Sequence, residues 1–265
     1  MTLCRILLAT ILVVGACGHG VAADLPSPGA QTVQEEPSAG QPYWSFTAGT
    51  YLWGAGMKGD VGQFGLPPVH VDASFSDIFD HLDFAATFVG EVRYGDFGLL
   101  NDFIYVKISG ENGTPRGLLA DSVSVDSKSI IYTAAGEYRL VENAQGSLDV
   151  LAGARVWSVD TDISFVGGPL DGIGSSDGAT WVDALVGLKG RLNLTPEWYV
   201  SGWAMGGGGS SDYMWDLWGG IGYQFTDKFS ALIGYRGTGV KYDNGEGFLF
   251  DVVQQGPVIG AVFRF

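Results

Sequence analysis

The stretch that most constrains this chain is YMWDLWGGIGYQF, Tyr213 to Phe225. Alternate residues (Tyr213, Trp215, Leu217, Gly219, Ile221, Tyr223, Phe225) are uncharged, while Asp216 and Gln224 stand at the opposite parity. Successive side chains of a strand point to opposite faces. The segment therefore has one face without charge and one that admits it. DFAATFVGEVRYG repeats the pattern, with Glu91 and Arg93 opposite Phe84, Phe88, Val92 and Tyr94. In IIYTAAGEYRL, Glu137 and Arg139 oppose Ile130, Tyr132, Tyr138 and Leu140. Asp149 and Arg155 share one parity of LDVLAGARVW, and Asp183, Lys189 and Arg191 share one parity of TWVDALVGLKGRLNL.

A soluble sandwich alternates as well, but its outer face is dense in charge. Here charged residues are 16% of the chain, against ~25% in ordinary soluble proteins, and the charged parity is sparse and mixed in sign. That suits the polar, side-chain-filled interior of a narrow barrel. After the first 23 residues no apolar run is long enough to span a bilayer as a helix, which takes about 20 residues. Backbone groups in hydrocarbon need partners within the protein, so a membrane form of this chain must be a closed sheet. The expected fold is all-β, a transmembrane antiparallel up-and-down β-barrel.

Ten strands are expected, near 43–56, 83–95, 97–109, 128–141, 147–159, 179–194, 197–206, 212–225, 228–240 and 249–265. Eight is the alternative, because the hairpin around GGGGSSD (206–212) has the weakest strands. Short turns alternate with long loops, as in barrels with short periplasmic turns and long external loops, and an even count puts both termini in the periplasm. Two strands resist assignment. Asn101 and Asp102 are adjacent, so one must face lipid unless a bulge intervenes, and EWYVSGWAM carries aromatics at both parities. Trp44, Trp53, Trp181, Trp198, Trp215, Tyr223, Phe225 and Tyr235 are candidates for interfacial girdles.

Residues 1–23 read as a signal peptide: Arg5, an apolar run from Ile6, and small residues ending at Ala23. A lipoprotein-type site at Cys17, after Val14-Gly15-Ala16, is the alternative. Both cysteines lie in this segment. Residues 24–42, rich in Pro, Ser, Gln and Glu, read as a disordered periplasmic linker, and 43–265 as one barrel domain.

The chain ends in GPVIGAVFRF. With the leader and the alternation, this ending resembles small Gram-negative outer-membrane β-barrel proteins of the OmpA/OmpW-like kind. The resemblance implies that the last Phe and the apolar residues alternating before it are read by the barrel-assembly machinery; here these are Phe265, Phe263, Ala261, Ile259 and Pro257. Pro257 cannot donate a ladder hydrogen bond, so a bulge is expected there. YLWGAGMKGDVG and FSDIFDHLDFA are also similar to outer-membrane proteins of alphaproteobacteria, a similarity that implies no activity. Outer-membrane lipid and lipopolysaccharide are the expected surroundings.

The lumen-facing charges Glu91, Arg93, Glu137, Arg139, Arg155, Asp183, Lys189, Arg191, Asp216, Arg236 and Arg264 are expected to form ion-pair networks that plug the barrel. The function expected is envelope structure or surface interaction through acidic external loops. A narrow porin-like channel is the first alternative. The second is a rim hydrolase using His70 or His81, near Asp72, Asp80 and Asp83, since ten-stranded omptin proteases carry Asp/His pairs at the rim. No second-site motif accompanies these histidines, and no enzyme is expected. The loops lack the ligand spacing of a calcium site, so no metal or cofactor is expected. The net charge of -15 opposes nucleic-acid binding.

Overall fold

The computed structural model describes residues 43–113 and 121–265; the expected leader and linker lie outside the described residues. In chain order the elements are β1 (Trp44–Trp53), β2 (Gly56–Gly62), β3 (Val69–Ala73), α1 (Phe75–Asp80), β4 (Leu82–Tyr94), β5 (Phe97–Gly113), β6 (Ser122–Asn143), β7 (Gly146–Val166), β8 (Gly174–Asn193), β9 (Trp198–Gly209), β10 (Tyr213–Thr226), β11 (Phe229–Asp243) and β12 (Leu249–Arg264). The barrel runs β1-β4-β5-β6-β7-β8-β9-β10-β11-β12, all antiparallel, and β12 closes on β1. Ten strands form the wall, because the glycine-rich hairpin forms β9 and β10 in full. The short turns and both strand termini of the barrel lie at one end, and the longer connections lie at the other, the loop end.

Beyond the barrel, β2 and β3 form a hairpin that lengthens the wall at the loop end. The pairing of β12 with β1 ends at Trp53↔Val258, and its pairing with β2 resumes at Gly56↔Gln255 on the same diagonal. Pro257 therefore sits at no bulge, and its register with β11 is also unbroken. The Gly54 amide donates to the Pro257 carbonyl at 2.8 Å, and Pro257 has no N–H for a return bond. The missing bond interrupts the ladder at the β1/β2 junction without shifting its register.

The outward parity is apolar over the half of the barrel nearest the turns. On β8, Val182, Val186, Leu188 and Leu192 are all exposed, as lipid-facing positions are in a chain surrounded by hydrocarbon. Eleven residues, 182 to 192, make this band, close to the 9–11 that span a bilayer. Further toward the loop end the same parity carries Ser176, Gly178 and Thr180 on β8 and Ser158, Asp160 and Asp162 on β7. The ladder nevertheless continues: β7 and β8 pair as far as Ser164↔Gly174. Strands β5 to β8 thus outrun their expected limits. Their outward face turns polar where it leaves the apolar band, while the inward face stays packed through Val159 and Ile131.

At the turn end an aromatic collar surrounds the wall. Trp44 lies 5.0 Å from Tyr94, Phe97 5.2 Å from Tyr138, and Phe229 5.1 Å from Phe263, ring centre to ring centre. Trp198, Tyr223 and Phe225 join it. Trp53 and Trp181 do not belong to a girdle. Both are on the lumen parity, and Trp181 is only 2% exposed.

Candidate functional site

The interior is built in layers, each joining side chains from several strands across the lumen. Near the turns, Arg93 on β4 bonds Glu91 and Glu137 at 2.9 Å each and reaches Asp149 at 3.3 Å. Lys189 on β8 meets Glu137 at 2.7 Å and Glu91 at 2.5 Å. Arg139 meets Asp149 at 2.5 Å and Glu142 at 2.7 Å. Within the lumen this group sets three bases against three carboxylates, so its charges cancel.

Above it lies an apolar layer that includes Leu100, Ala135 and Leu151, all buried. A cavity of about 60 Å³ is lined by Tyr51, Val89, Trp203, Leu232, Arg236, Val258 and others. Ligand pockets measure about 300–1,000 Å³, so it holds no sizeable ligand.

The next layer follows one register row: Asp102↔Thr133, Thr133↔Arg155 and Arg155↔Asp183 across β5 to β8. Opposite stand Asp216 on β10 and Arg236 on β11. Arg236 Nη2 lies 2.6 Å from both Asp102 Oδ2 and Asp216 Oδ2. Its Nη1 donates to the Tyr51 hydroxyl at 2.7 Å, which in turn donates to Asp102 Oδ1 at 2.7 Å. Arg155 donates to Asp216 at 2.6 Å, to Thr133 at 2.8 Å and to Thr238 at 3.2 Å. Trp203 Nε1 adds a bond to Asp216 at 2.8 Å. The Arg236 guanidinium carbon also lies 5.2 Å from the Trp203 ring centre and 5.4 Å from that of Trp53. These contacts cross the lumen from wall to wall.

The top layer is aromatic. Trp181 stacks on Tyr242 at 4.2 Å and on Trp157 at 5.8 Å, with Phe248 and Phe250 against its edges at 6.3 and 5.9 Å. Ile104, Ile131, Val240 and Val252 fill the remaining space. The loop end of the lumen is therefore a hydrophobic core that the charge pattern did not announce.

Eight of the eleven charges expected to plug the lumen belong to the two networks: Glu91, Arg93, Glu137, Arg139 and Lys189 near the turns, and Arg155, Asp216 and Arg236 at mid-height. Three stand apart. Asp183 is fully buried but bonds only the Ser211 amide, at 2.8 Å; its Oδ2 has no partner among the described residues. Its cross-strand neighbour Arg155 is committed to Asp216 instead. Arg191 and Arg264 meet the amide oxygen of Gln224, at 3.1 and 3.4 Å, and neither forms a salt bridge among the described residues.

Asp102 was not separable from Asn101 by sequence pattern. The structure needs no bulge between them: Asp102 enters the mid-lumen network, while Asn101 takes the outward parity and accepts from the Tyr132 hydroxyl at 2.6 Å. Of the C-terminal residues, Ile259, Phe263 and Phe265 are exposed and Ala261 shares their outward parity.

At the loop-end rim, His70 Nδ1 lies 2.8 Å from Asp60 Oδ1, and His81 Nδ1 lies 2.8 Å from the Asp77 carbonyl. Asp72 pairs with Lys58 at 2.8 Å and Asp83 with Lys107 at 3.1 Å. The Lys58 ammonium hydrogen-bonds Asp72 and holds its carboxyl below the usual range. Among the described residues no three or more His, Cys, Asp or Glu side chains are grouped to hold a metal.

No family model matches the chain, and no curated protein matches its sequence. Solved structures do. The outer-membrane protease OmpT of Escherichia coli matches at TM-score 0.52 with 11% identity, covering 84% of this chain and 97% of that one. The translocator domain of the autotransporter NalP from Neisseria meningitidis matches at TM-score 0.48 with 14% identity over 86% and 90%. Ail, the attachment invasion locus protein of Yersinia pestis, matches at TM-score 0.36 with 17% identity over 84% and 98%. The chain has the fold of an outer-membrane β-barrel.

Proposed function

We propose that this outer-membrane barrel keeps its lumen closed and contributes to envelope structure or surface contact through the acidic rim at its loop end. In this reading both termini are periplasmic, lipid and lipopolysaccharide surround the apolar band, and the outward-facing C-terminal aromatics serve the assembly machinery. The observation that carries it is the cross-lumen bridge Arg155–Asp216–Arg236–Asp102, capped by the Trp157–Trp181–Tyr242 stack. A solute would have to break buried ion pairs and unstack the aromatics to pass. Burial of paired charges is tolerable only while each keeps its partner, which favours a plug that stays shut.

The rim supports contact rather than chemistry: the imidazoles of His70 and His81 are engaged by Asp60 and a backbone carbonyl, and the proposal is of a protein without catalysis. The hydrolase reading rests on the exposed His70–Asp60 pair. Proteoliposome swelling tests the closed barrel. Vesicles carrying the refolded protein swell no faster in small sugars than protein-free vesicles, and protein-dependent swelling contradicts the proposal.

A further inference from the structure

The bases near the turns are unequally treated. On the β4–β8 side every guanidinium and ammonium has a carboxylate. On the β8–β12 side Arg191 and Arg264 converge on Gln224 Oε1, an uncharged acceptor, at 3.1 and 3.4 Å. Both point into the lumen, since Arg264 has the parity opposite to the exposed Phe263 and Phe265. Arg191 is held in place: its guanidinium carbon lies 3.5 Å above the Tyr199 ring centre, and its Nε donates to Asn193 Oδ1 at 3.0 Å. Tyr199 is itself fixed by Ser230 at 3.0 Å. Gly222 gives the ring its room, because a Cβ there would stand 2.2 Å from it.

Two guanidiniums on one neutral oxygen leave several N–H donors unspent and two like charges close together. The fixed fork of a guanidinium matches the oxygens of phosphate-type anions. We propose that Arg191, Arg264 and Gln224 form a binding site for a phosphate-type oxyanion at the turn end of the lumen. The anion lies between the two guanidiniums, accepts from both and neutralises their repulsion. The source is either free phosphate or the phosphate of a lipid headgroup reaching the barrel mouth.

The test is thermal unfolding of the refolded full-length barrel in phosphate-free, non-ionic detergent. One arm adds inorganic phosphate, and the other adds a short-chain phosphatidic acid against a zwitterionic short-chain lipid. A saturable rise in unfolding temperature with phosphate, or with phosphatidic acid alone, supports the site and identifies the source. Arg191→Gln and Arg264→Gln each abolish the rise, while Lys228→Gln, at the exposed β10–β11 turn, keeps it. Gln224→Glu covers the case in which those variants fail to fold. It supplies a carboxylate between the arginines, raises the unfolding temperature without ligand and removes the response. No saturable response in the wild type, or an undiminished one in Gln224→Glu, overturns the proposal.

Discussion

Replacing Asp216 with Asn tests the mid-lumen bridge at its centre. Asp216 is fully buried and accepts from Arg155 at 2.6 Å, from Arg236 at 2.6 and 3.2 Å, and from Trp203 at 2.8 Å. Asn keeps the volume but removes the charge, leaves one acceptor oxygen and points N–H donors at guanidiniums. Two buried cations are then left with Asp102, which pairs with Arg236 and not with Arg155. Removing one partner of a buried pair costs about 3–5 kcal/mol, and a slope near 3 kcal/mol per molar urea converts that to a midpoint about 1–2 M lower. Tryptophan fluorescence in detergent micelles reads the transition. Asp183→Asn is the matched comparison. It removes a buried carboxylate with no basic partner, and Asn can still accept from the Ser211 amide, so the account expects no loss or a gain. Equal destabilisation by the two substitutions would refute the reasoning, since burial alone would then set the cost rather than pairing.

Other expectations follow from the packing. Gly222→Ala drives a methyl into the Tyr199 ring and lowers stability by about 1–3 kcal/mol, the usual cost of overpacking, measurable by the same urea titration. Trp181→Ala removes the centre of the aromatic cap and costs about 3–5 kcal/mol, yet leaves the membrane unpermeabilised in a dye-release assay, because the arginine layer below it stays intact. In α1 the Asp77 carboxylate accepts from the Ser74 amide at 2.9 Å and the Ser74 hydroxyl at 2.7 Å, and these bonds hold its pKa below the ordinary value. A lowered folded-state pKa gives stability that is present above the unfolded value and lost as pH falls through the folded one. Amide exchange in α1 should therefore speed up, relative to the barrel strands, below about pH 4; unchanged relative protection would contradict the capping role.

The wall was legible in the sequence because a lipid-facing strand obeys a local rule. One parity must be free of charge, and segments such as Phe84–Tyr94 and Tyr213–Phe225 state it within 11 and 13 residues. The strand limits were less legible, since β7 and β8 continue past the point where Ser158 and Thr180 turn the outward face polar. Pairing partners were hidden for a different reason: Asp216 is 61 residues from Arg155 and meets it only when the barrel closes, whereas the register neighbour Asp183 stays unpaired. A signal for the missing acids did exist. The charges expected to plug the lumen were seven bases and four carboxylates, an excess of three that called for more buried acid, and Asp149 already stood at the parity of Arg155. Asp102 and Asp149 supply two, and the Arg191–Arg264 pair is where the remaining imbalance is felt. Trp181 was legible as an aromatic but not as a plug, because its height within the lumen depends on how the strands are staggered.

The closed lumen is the central claim, and single-channel recording in a planar bilayer tests it most directly. Refolded protein inserted at rising concentration should give a flat trace at ±100 mV in about 1 M salt, apart from rare insertion noise. Uniform, long-lived conductance steps in the wild type, altered in size by Arg155→Ala or Arg191→Ala, would contradict it.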